Sequence, residues 1–333
     1  MSKLAVTMAV GPYDHVRDLA TGEVAVEGVD LNFLRLPTLE IFHRFTHRRE
    51  FDVAEMSFGR YISLFSQDAP IIAIPVFPSR LFRLASIFVP AGGCVAQPQD
   101  LAGKRVAVPE WSQTATIYVR GWLQHQIGVD LRGIRWFTAG NHGANPHGEQ
   151  VALKLPKGIE ITHVGDRSIG DLLVEGGVDA VFAAGAPHQF LAGDRRITRL
   201  FPDFRAAEEA YHRTTGIFPI MHVICLRRDL AERNPWLAMN LLKAFEQAKR
   251  NSLARLADEG MSYYAVPWLT AQVRAIVSEF GEDFWPYGVS PNRATLDAFT
   301  RYAVEQGVSH KELGASDLFD AGARELSSSY GRL

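Results

Sequence analysis

Two histidines fall where this sequence turns: His15, just after an apolar run and Gly11-Pro12, and His222, inside the stretch 216–226. An unperturbed imidazole titrates near pH 6.5 and can hand over a proton at neutral pH, so both are candidate donors, against the competing reading of a buried structural histidine. His188, after Ala186-Pro187, is a third. Glu55 stands two positions beyond Val53 in a buried-strand pattern, where a parallel strand opens onto its crevice; it is a candidate proton acceptor, or else one half of a structural salt bridge. Arg80 and Arg83 lie in Phe77-Pro78-Ser79-Arg80-Leu81-Phe82-Arg83, and Arg60 follows Glu55-Met56-Ser57. A guanidinium fork binds carboxylates and phosphates, so all three are candidate anion contacts, with hinge or surface charge as the alternative. Ser57 reads equally as a binding residue or a helix N-cap. Trp111, Ser112, Gln113 and Thr114 sit at a strand-to-helix turn whose free N–H groups suit an anion, with Tyr118 one turn on.

The elements that must position these residues form a rough duplication. An apolar strand, a Gly-Pro turn, a helical stretch and Gly28-Val29-Asp30-Leu31 lead into a second strand at 32–36. The pattern returns with a strand at 105–109, a helix over 112–127, Gly128-Val129-Asp130-Leu131 and a strand at 134–137. A third matched pair is Phe51-Asp52-Val53-Ala54 and Val178-Asp179-Ala180-Val181. Each half therefore reads as a β-α-β-α-β unit with a mainly parallel sheet flanked by helices and a ligand crevice at the strand ends. Strands at 71–76 and 84–89 predict a crossing into the second lobe, and 216–226 a return, giving lobe 1 as 1–90 with 215–333 and lobe 2 as 91–214. A long helix is expected over 229–256, and helices near 270–280 and 292–306 are expected to pack on the first lobe. The loop 140–146 is a candidate lid.

Composition narrows the function classes. The chain has 333 residues, enough for two compact units, with 47% hydrophobic and 22% charged residues. A net charge of -2 argues against a general nucleic-acid binder. The N-terminal apolar run is short for a secretory leader and no run is long enough to span a membrane, so a cytoplasmic location without membrane attachment is expected. Cys94 and Cys225 suggest no disulfide framework. His43 and His47, four apart, are the best metal pair, but Arg44, Arg48 and Arg49 around them mark a solvated face, and no metal is expected.

Several segments resemble the 4,5-dihydroxyphthalate decarboxylase family: Gly216-Ile217-Phe218-Pro219-Ile220-Met221-His222 with Asn234-Pro235-Trp236-Leu237-Ala238, Asp283-Phe284-Trp285-Pro286-Tyr287-Gly288 with Asn292-Arg293, and Tyr302-Ala303-Val304-Glu305-Gln306-Gly307. So do Glu27-Gly28-Val29-Asp30-Leu31, Phe51 through Ser57, and the Ser79-Arg80-Leu81-Phe82-Arg83 segment. Leu101-Ala102-Gly103-Lys104-Arg105-Val106-Ala107-Val108-Pro109 is similar to the start of the second lobe in type II solute-binding proteins. The likeness runs almost end to end, departing at Tyr13-Asp14-His15-Val16, where the family usually has Tyr-Asp-Arg-Thr. It implies a two-lobed type II periplasmic-binding-protein-like fold with the ligand between lobes. It also implies decarboxylation of a dihydroxylated aromatic acid by proton delivery to the ring carbon, with no cofactor compulsory because a para hydroxyl can push electrons into the ring. The expected partner is a small aromatic carboxylate, and a homo-oligomer is left open. On this reading Arg80→Ala should cripple turnover with folding intact. The main alternative is a non-catalytic solute-binding or sensory protein; a third is an enzyme of pyrimidine or thiamine precursor metabolism on the same fold.

Overall fold

The computed structural model describes residues 2–324. The chain lays down β1 (Leu4–Val10), α1 (Arg17–Thr21), β2 (Val29–Arg35), α2 (Thr38–Arg48), β3 (Val53–Ser57), α3 (Phe58–Ser66) and β4 (Ile71–Arg80). It then crosses to β5 (Ile87–Pro90), β6 (Arg105–Val108), α4 (Thr114–His125), β7 (Arg135–Gly140), β8 (Ile161–Ser168), α5 (Ile169–Val174), β9 (Ala180–Phe182), α6 (His188–Leu191), β10 (Ile197–Arg199) and α7 (Phe204–Thr215). The return strand β11 (Ile220–Arg227) leads to α8 (Arg228–Arg233), α9 (Leu237–Ala257), α10 (Leu269–Phe280) and α11 (Arg293–Glu305).

Two sheets result, a five-stranded one in the order β2-β1-β3-β11-β4 and a six-stranded one in the order β10-β5-β9-β6-β7-β8. In each, one strand pairs in parallel with two others of its lobe: β1 with β2 and β3, β6 with β7 and, past β8 in the chain, with β9. In each, an antiparallel strand from a crossing then docks on the third, β11 on β3 and β5 on β9. The duplication read from the sequence is thus one of wiring as well as motif.

Four expectations change. Strand β5 hydrogen-bonds only into the second sheet, so the crossing lies between Arg80 and Ile87, ahead of residue 90. The helix expected over 229–256 is broken into α8 and α9 at Asn234-Pro235-Trp236, since proline has no N–H to give to the preceding turn. Strands β8 and β10 and helix α7 were not foreseen, because β8 is mostly exposed and shows no apolar alternation. Finally, α11 does not pack on the first lobe alone. It crosses α4 so closely that a β-carbon on Gly121 would meet the Tyr302 ring at 2.2 Å, while Phe299 stacks on Phe58 of α3 at 4.3 Å.

The lobe junction is consequently part of the core. Phe58, Tyr61, Trp111, Ile117, Tyr118, Phe299 and Tyr302 belong to one buried cluster spanning both lobes. Arg120, fully buried, stacks over Trp111 at 3.7 Å and donates to Gln306 Oε1 at 2.8 Å, and Gln306 closes the loop by donating to the Ile117 carbonyl at 3.0 Å. A buried cation is tolerable only with such complete hydrogen bonding. No helix among the described residues is long and apolar enough to cross a membrane.

Candidate active site

At the carboxyl ends of the first sheet, β3 carries Glu55 through the core and ends at Ser57, where α3 begins. β11 runs antiparallel beside it, setting His222 opposite Ser57 on one side and Ser79 of β4 on the other. Glu55 is fully buried, and its carboxylate is saturated: Tyr13 Oη donates to Oε1 at 2.7 Å, His222 Nδ1 lies 2.5 Å from the same oxygen, and the Gly11 N–H donates to Oε2 at 2.8 Å. With Nδ1 committed to Glu55, His222 keeps Nε2 for the cavity it lines, and Phe42 packs edge-on against the ring at 5.0 Å. Such a carboxylate–imidazole pair fixes the tautomer and orientation of a proton-transfer group. Burial first, and then the Glu55 charge, pushes the Tyr13 phenol well above its usual range, so Tyr13 remains a donor to Glu55.

The cavity, about 340 Å³, lies between the lobes. From the first lobe it is lined by Thr38, Leu39, Phe42, Ser57, Arg60, Ser79, Met221 and His222, from the crossing by Leu81 and Arg83, and from the second lobe by Glu110, Ser112, Gln113, Thr114, Ala115, Ala184 and Gly185. The amino ends of α2, α3 and α4 converge there, which favours an anion. Arg60 Nη2 reaches Glu110 Oε2 at 3.3 Å across the lobes. Arg83 donates through Nη1 to the Ala184 carbonyl at 3.0 Å and through Nε to Met221 Sδ at 2.9 Å. Neither partner carries charge, and burial pulls the Arg83 guanidinium down to about 10, which still leaves it cationic at neutral pH. Ser57 Oγ and the Gly59 N–H both meet Thr114 Oγ1 at 2.9 Å, and a β-carbon on Gly59 would stand 2.2 Å from the Ser112 carbonyl oxygen. The helix starts of the two lobes therefore touch backbone to side chain.

Of the residues singled out in the sequence, the cavity gathers Ser57, Arg60, Arg83, Ser112, Gln113, Thr114 and His222, with Glu55 directly behind His222. Five others lie elsewhere. Arg80 is buried, donates to Asn292 Oδ1, and lies over the Phe218 ring at 4.7 Å; it supports the core rather than the cavity. His15 sits between the Tyr13 and Trp285 rings at 5.2 and 5.6 Å, and desolvation drives its pKa down to about 4, partly opposed by the Pro78 carbonyl, so at neutral pH it carries no proton to give as an acid. Trp111 is fully buried with its indole N–H on the Gln306 carbonyl at 2.8 Å, Tyr118 is buried with its hydroxyl accepting from the Ile220 N–H at 3.2 Å, and His188 is exposed at the start of α6. His43 and His47 are exposed with rings 4.6 Å apart, and no group of three or more metal-binding side chains exists among the described residues.

Sequence reasoning missed Tyr13, Ser79, Glu110 and Glu149. Glu149, from the segment following the candidate lid, fills the anion-binding turn: its Oε2 accepts from the Trp111 N–H at 2.6 Å and the Ser112 N–H at 3.2 Å, and its Oε1 from the Ser112 hydroxyl. The free N–H groups foreseen there are real, but a carboxylate of the chain already occupies them.

Against known proteins, the chain is 36% identical over 327 residues to a 4,5-dihydroxyphthalate decarboxylase of Comamonas testosteroni, covering 98% of this chain and 99% of that one. It is 33% identical over 215 residues to a 4,5-dihydroxyphthalate decarboxylase of Pseudomonas putida, covering 64% of this chain and 83% of the relative. Among solved structures, the periplasmic aliphatic sulphonate binding protein SsuA of Escherichia coli superposes with a TM-score of 0.54 at 13% identity, over 97% of this chain and 99% of that chain. A periplasmic sulfonate-binding protein from Methylobacillus flagellatus gives 0.54 at 14% identity, over 96% and 92%. No family model matches. The structural likeness establishes the two-lobed type II periplasmic-binding-protein fold, and the end-to-end sequence identity establishes that the chain belongs to the 4,5-dihydroxyphthalate decarboxylase family.

Proposed function

We propose that the protein removes one carboxyl group from 4,5-dihydroxyphthalate, giving protocatechuate and carbon dioxide, as a step in phthalate breakdown. The observation that carries the substrate is the relationship over 98% of the chain to the Comamonas testosteroni decarboxylase. The cavity supplies what that chemistry needs. Arg83, whose hydrogen-bond partners are uncharged, is the cation that holds the spectator carboxylate. The other carboxylate lies in a small, partly apolar space walled by Phe42, Leu39, Leu81 and Met221, where loss of charge as carbon dioxide forms is favoured.

His222 is the base. Its Nε2 takes the proton of the hydroxyl para to the departing carboxylate, and the imidazolium that forms is stabilised by Glu55. The phenolate pushes electron density onto the ring carbon, which takes up a proton. The carbon–carbon bond then breaks, its electron pair returns to the ring, and His222 gives the phenolic proton back.

The direct test is incubation of purified protein with 4,5-dihydroxyphthalate, following protocatechuate and carbon dioxide, with a second run in deuterium oxide. Deuterium at the vacated ring position is expected. An unconsumed acid, recovered intact after binding, would point instead to the solute-binding reading.

A further inference from the structure

Protonation of the ring carbon needs an acid distinct from the base that holds the phenolic proton. Among the described residues lining the cavity, His222 and Glu110 supply the imidazole and the carboxyl, the side chains there, apart from the two arginines, built to exchange a proton. His222, bound to Glu55, belongs to the first lobe's wall of the cavity, and Glu110 to the second lobe's wall, so a flat ring between the lobes meets a proton-transfer group from each lobe. We propose that Glu110 is the catalytic acid that protonates the departing carboxylate's ring carbon, and that Glu149 is the positioning residue that keeps it fit for that step. This rests on the decarboxylase reading above and names the proton donor within the same site.

The surroundings of the two carboxyls differ in kind. Glu149 is held at the amino end of α4 by two N–H groups and the Ser112 hydroxyl, an anion in an anion's place. Glu110, one residue before that turn, has a single side-chain contact, the 3.3 Å approach of Arg60 to Oε2, which leaves Oε1 for the ring. Its carboxyl is raised above its usual range, first by desolvation and further by the Glu149 charge, with Arg60 pulling the other way. The charged or titratable groups around it are Arg60 from α3, Glu149 from the segment beyond β7, Arg83 from the crossing and His222 from β11. A doubly anionic substrate entering this space adds another negative charge and favours the protonated acid further. A carboxyl pushed towards its neutral form beside one gripped by N–H and O–H donors is a common arrangement of an acid next to a fixed hydrogen-bond acceptor.

The proton balance closes. Glu110 gives its proton to the ring carbon, a carbon–hydrogen bond forms, and the carbon–carbon bond to the carboxylate breaks with carbon dioxide leaving. The pair from that bond restores the ring, the phenolic oxygen recovers its proton from His222, and Glu110 takes a proton from solvent before the next turnover. One proton is consumed for each carbon dioxide released.

The experiment is the pH profile of kcat with 4,5-dihydroxyphthalate for wild type, Glu110→Gln and Glu149→Gln, with folding of each checked by thermal melting. Glu110→Gln is expected to lose roughly 10²- to 10⁴-fold in kcat with KM changed only a few-fold. In Glu149→Gln the fall of kcat at high pH should begin at lower pH, because removing a neighbouring negative charge makes Glu110 a stronger acid. A merely structural Glu149 would leave that limb in place. A folded Glu110→Gln retaining more than a tenth of the wild-type kcat, or a Glu149→Gln limb coincident with the wild type's, overturns the assignment. If Glu110→Gln does not fold, the Glu149→Gln limb decides. A wild type that leaves 4,5-dihydroxyphthalate untouched would strike the decarboxylase reading, whereas an active wild type with an active Glu110→Gln strikes Glu110 alone.

Discussion

Arg60, Arg80 and Arg83 bring one charge into three settings, and their partners sort their roles. Arg60 lies 3.3 Å from Glu110, Arg80 is clasped by Asn292 inside the core, and Arg83 spends its hydrogen bonds on a carbonyl and a thioether. Of the two that line the cavity, Arg83 is the one whose hydrogen-bond partners are uncharged. Arg83→Met should therefore raise KM for 4,5-dihydroxyphthalate roughly 10- to 100-fold with a smaller effect on kcat, the pattern of lost ground-state binding; initial-rate kinetics checks it, and an unchanged KM would remove Arg83 from the carboxylate site. At this scale the sequence told residue types but not partners. The cavity's histidine, His222, and its carboxylate, Glu55, are 167 residues apart, and Glu149 is 37 residues from the serine it grips. Nothing in a linear reading joins them, and Tyr13 escaped notice because a phenol gives no signal until its acceptor is known.

The family-like segments act mostly as buttresses between elements. Strand β4 is an edge strand with Pro75 and Pro78 in it, and its register against β11 jumps between Ile224 and His222. Prolines cannot complete a ladder, so the irregular stretch needs other partners. It finds them in the Trp-Pro-Tyr-Gly segment: Trp285 Nε1 donates to the Phe77 carbonyl at 2.9 Å and the Gly288 N–H to the Pro75 carbonyl at 2.9 Å. Asn292 ties the same segment to Arg80 by donating to the Gly288 carbonyl at 2.8 Å while accepting from the guanidinium. The bulge sets Ser79 opposite His222, so these motifs shape the site from behind. Arg80→Met is expected to lower unfolding free energy by about 2–4 kcal/mol, since Asn292 loses a charged donor in a dry place; urea unfolding measures it. The sequence reading expected a folded but inactive Arg80 variant; its place in the core makes stability the first thing such a variant is expected to lose.

For the molecule as a whole, the repeated Gly-Val-Asp punctuation made the two parallel trios readable, because both obey the same hydrophobic rhythm. The second lobe's β8 and β10, and the bridging place of α11, were not readable: edge strands with exposed residues lack that rhythm, and a helix's amphipathic face does not say which lobe it meets. One half-buried imidazole weakens the fold on the acid side. His15 takes a proton near pH 6.5 when unfolded but only at about 4 when folded, owing chiefly to desolvation, so between those values the unfolded chain binds more protons. Stability is full above that window and falls as pH drops through it, by up to about 3 kcal/mol. Denaturant unfolding at pH 7 and pH 5 should show a drop that His15→Phe largely removes; equal pH dependence in both proteins would exonerate His15.

The bolt that α11 throws across the junction has a consequence for traffic. Relatives in shape that carry solutes exchange their cargo by swinging open on a hinge. Here a wide swing that parted α11 from α4 and β11 from α4 would strip Trp111 and Arg120 from Gln306 and Tyr118 from Ile220, leaving one dry guanidinium short of an acceptor and the Gln306 carbonyl and the Ile220 N–H without these partners. Opening of that kind therefore costs buried contacts, whereas the cavity's rim already presents the exposed Leu39 and Leu81 to solvent.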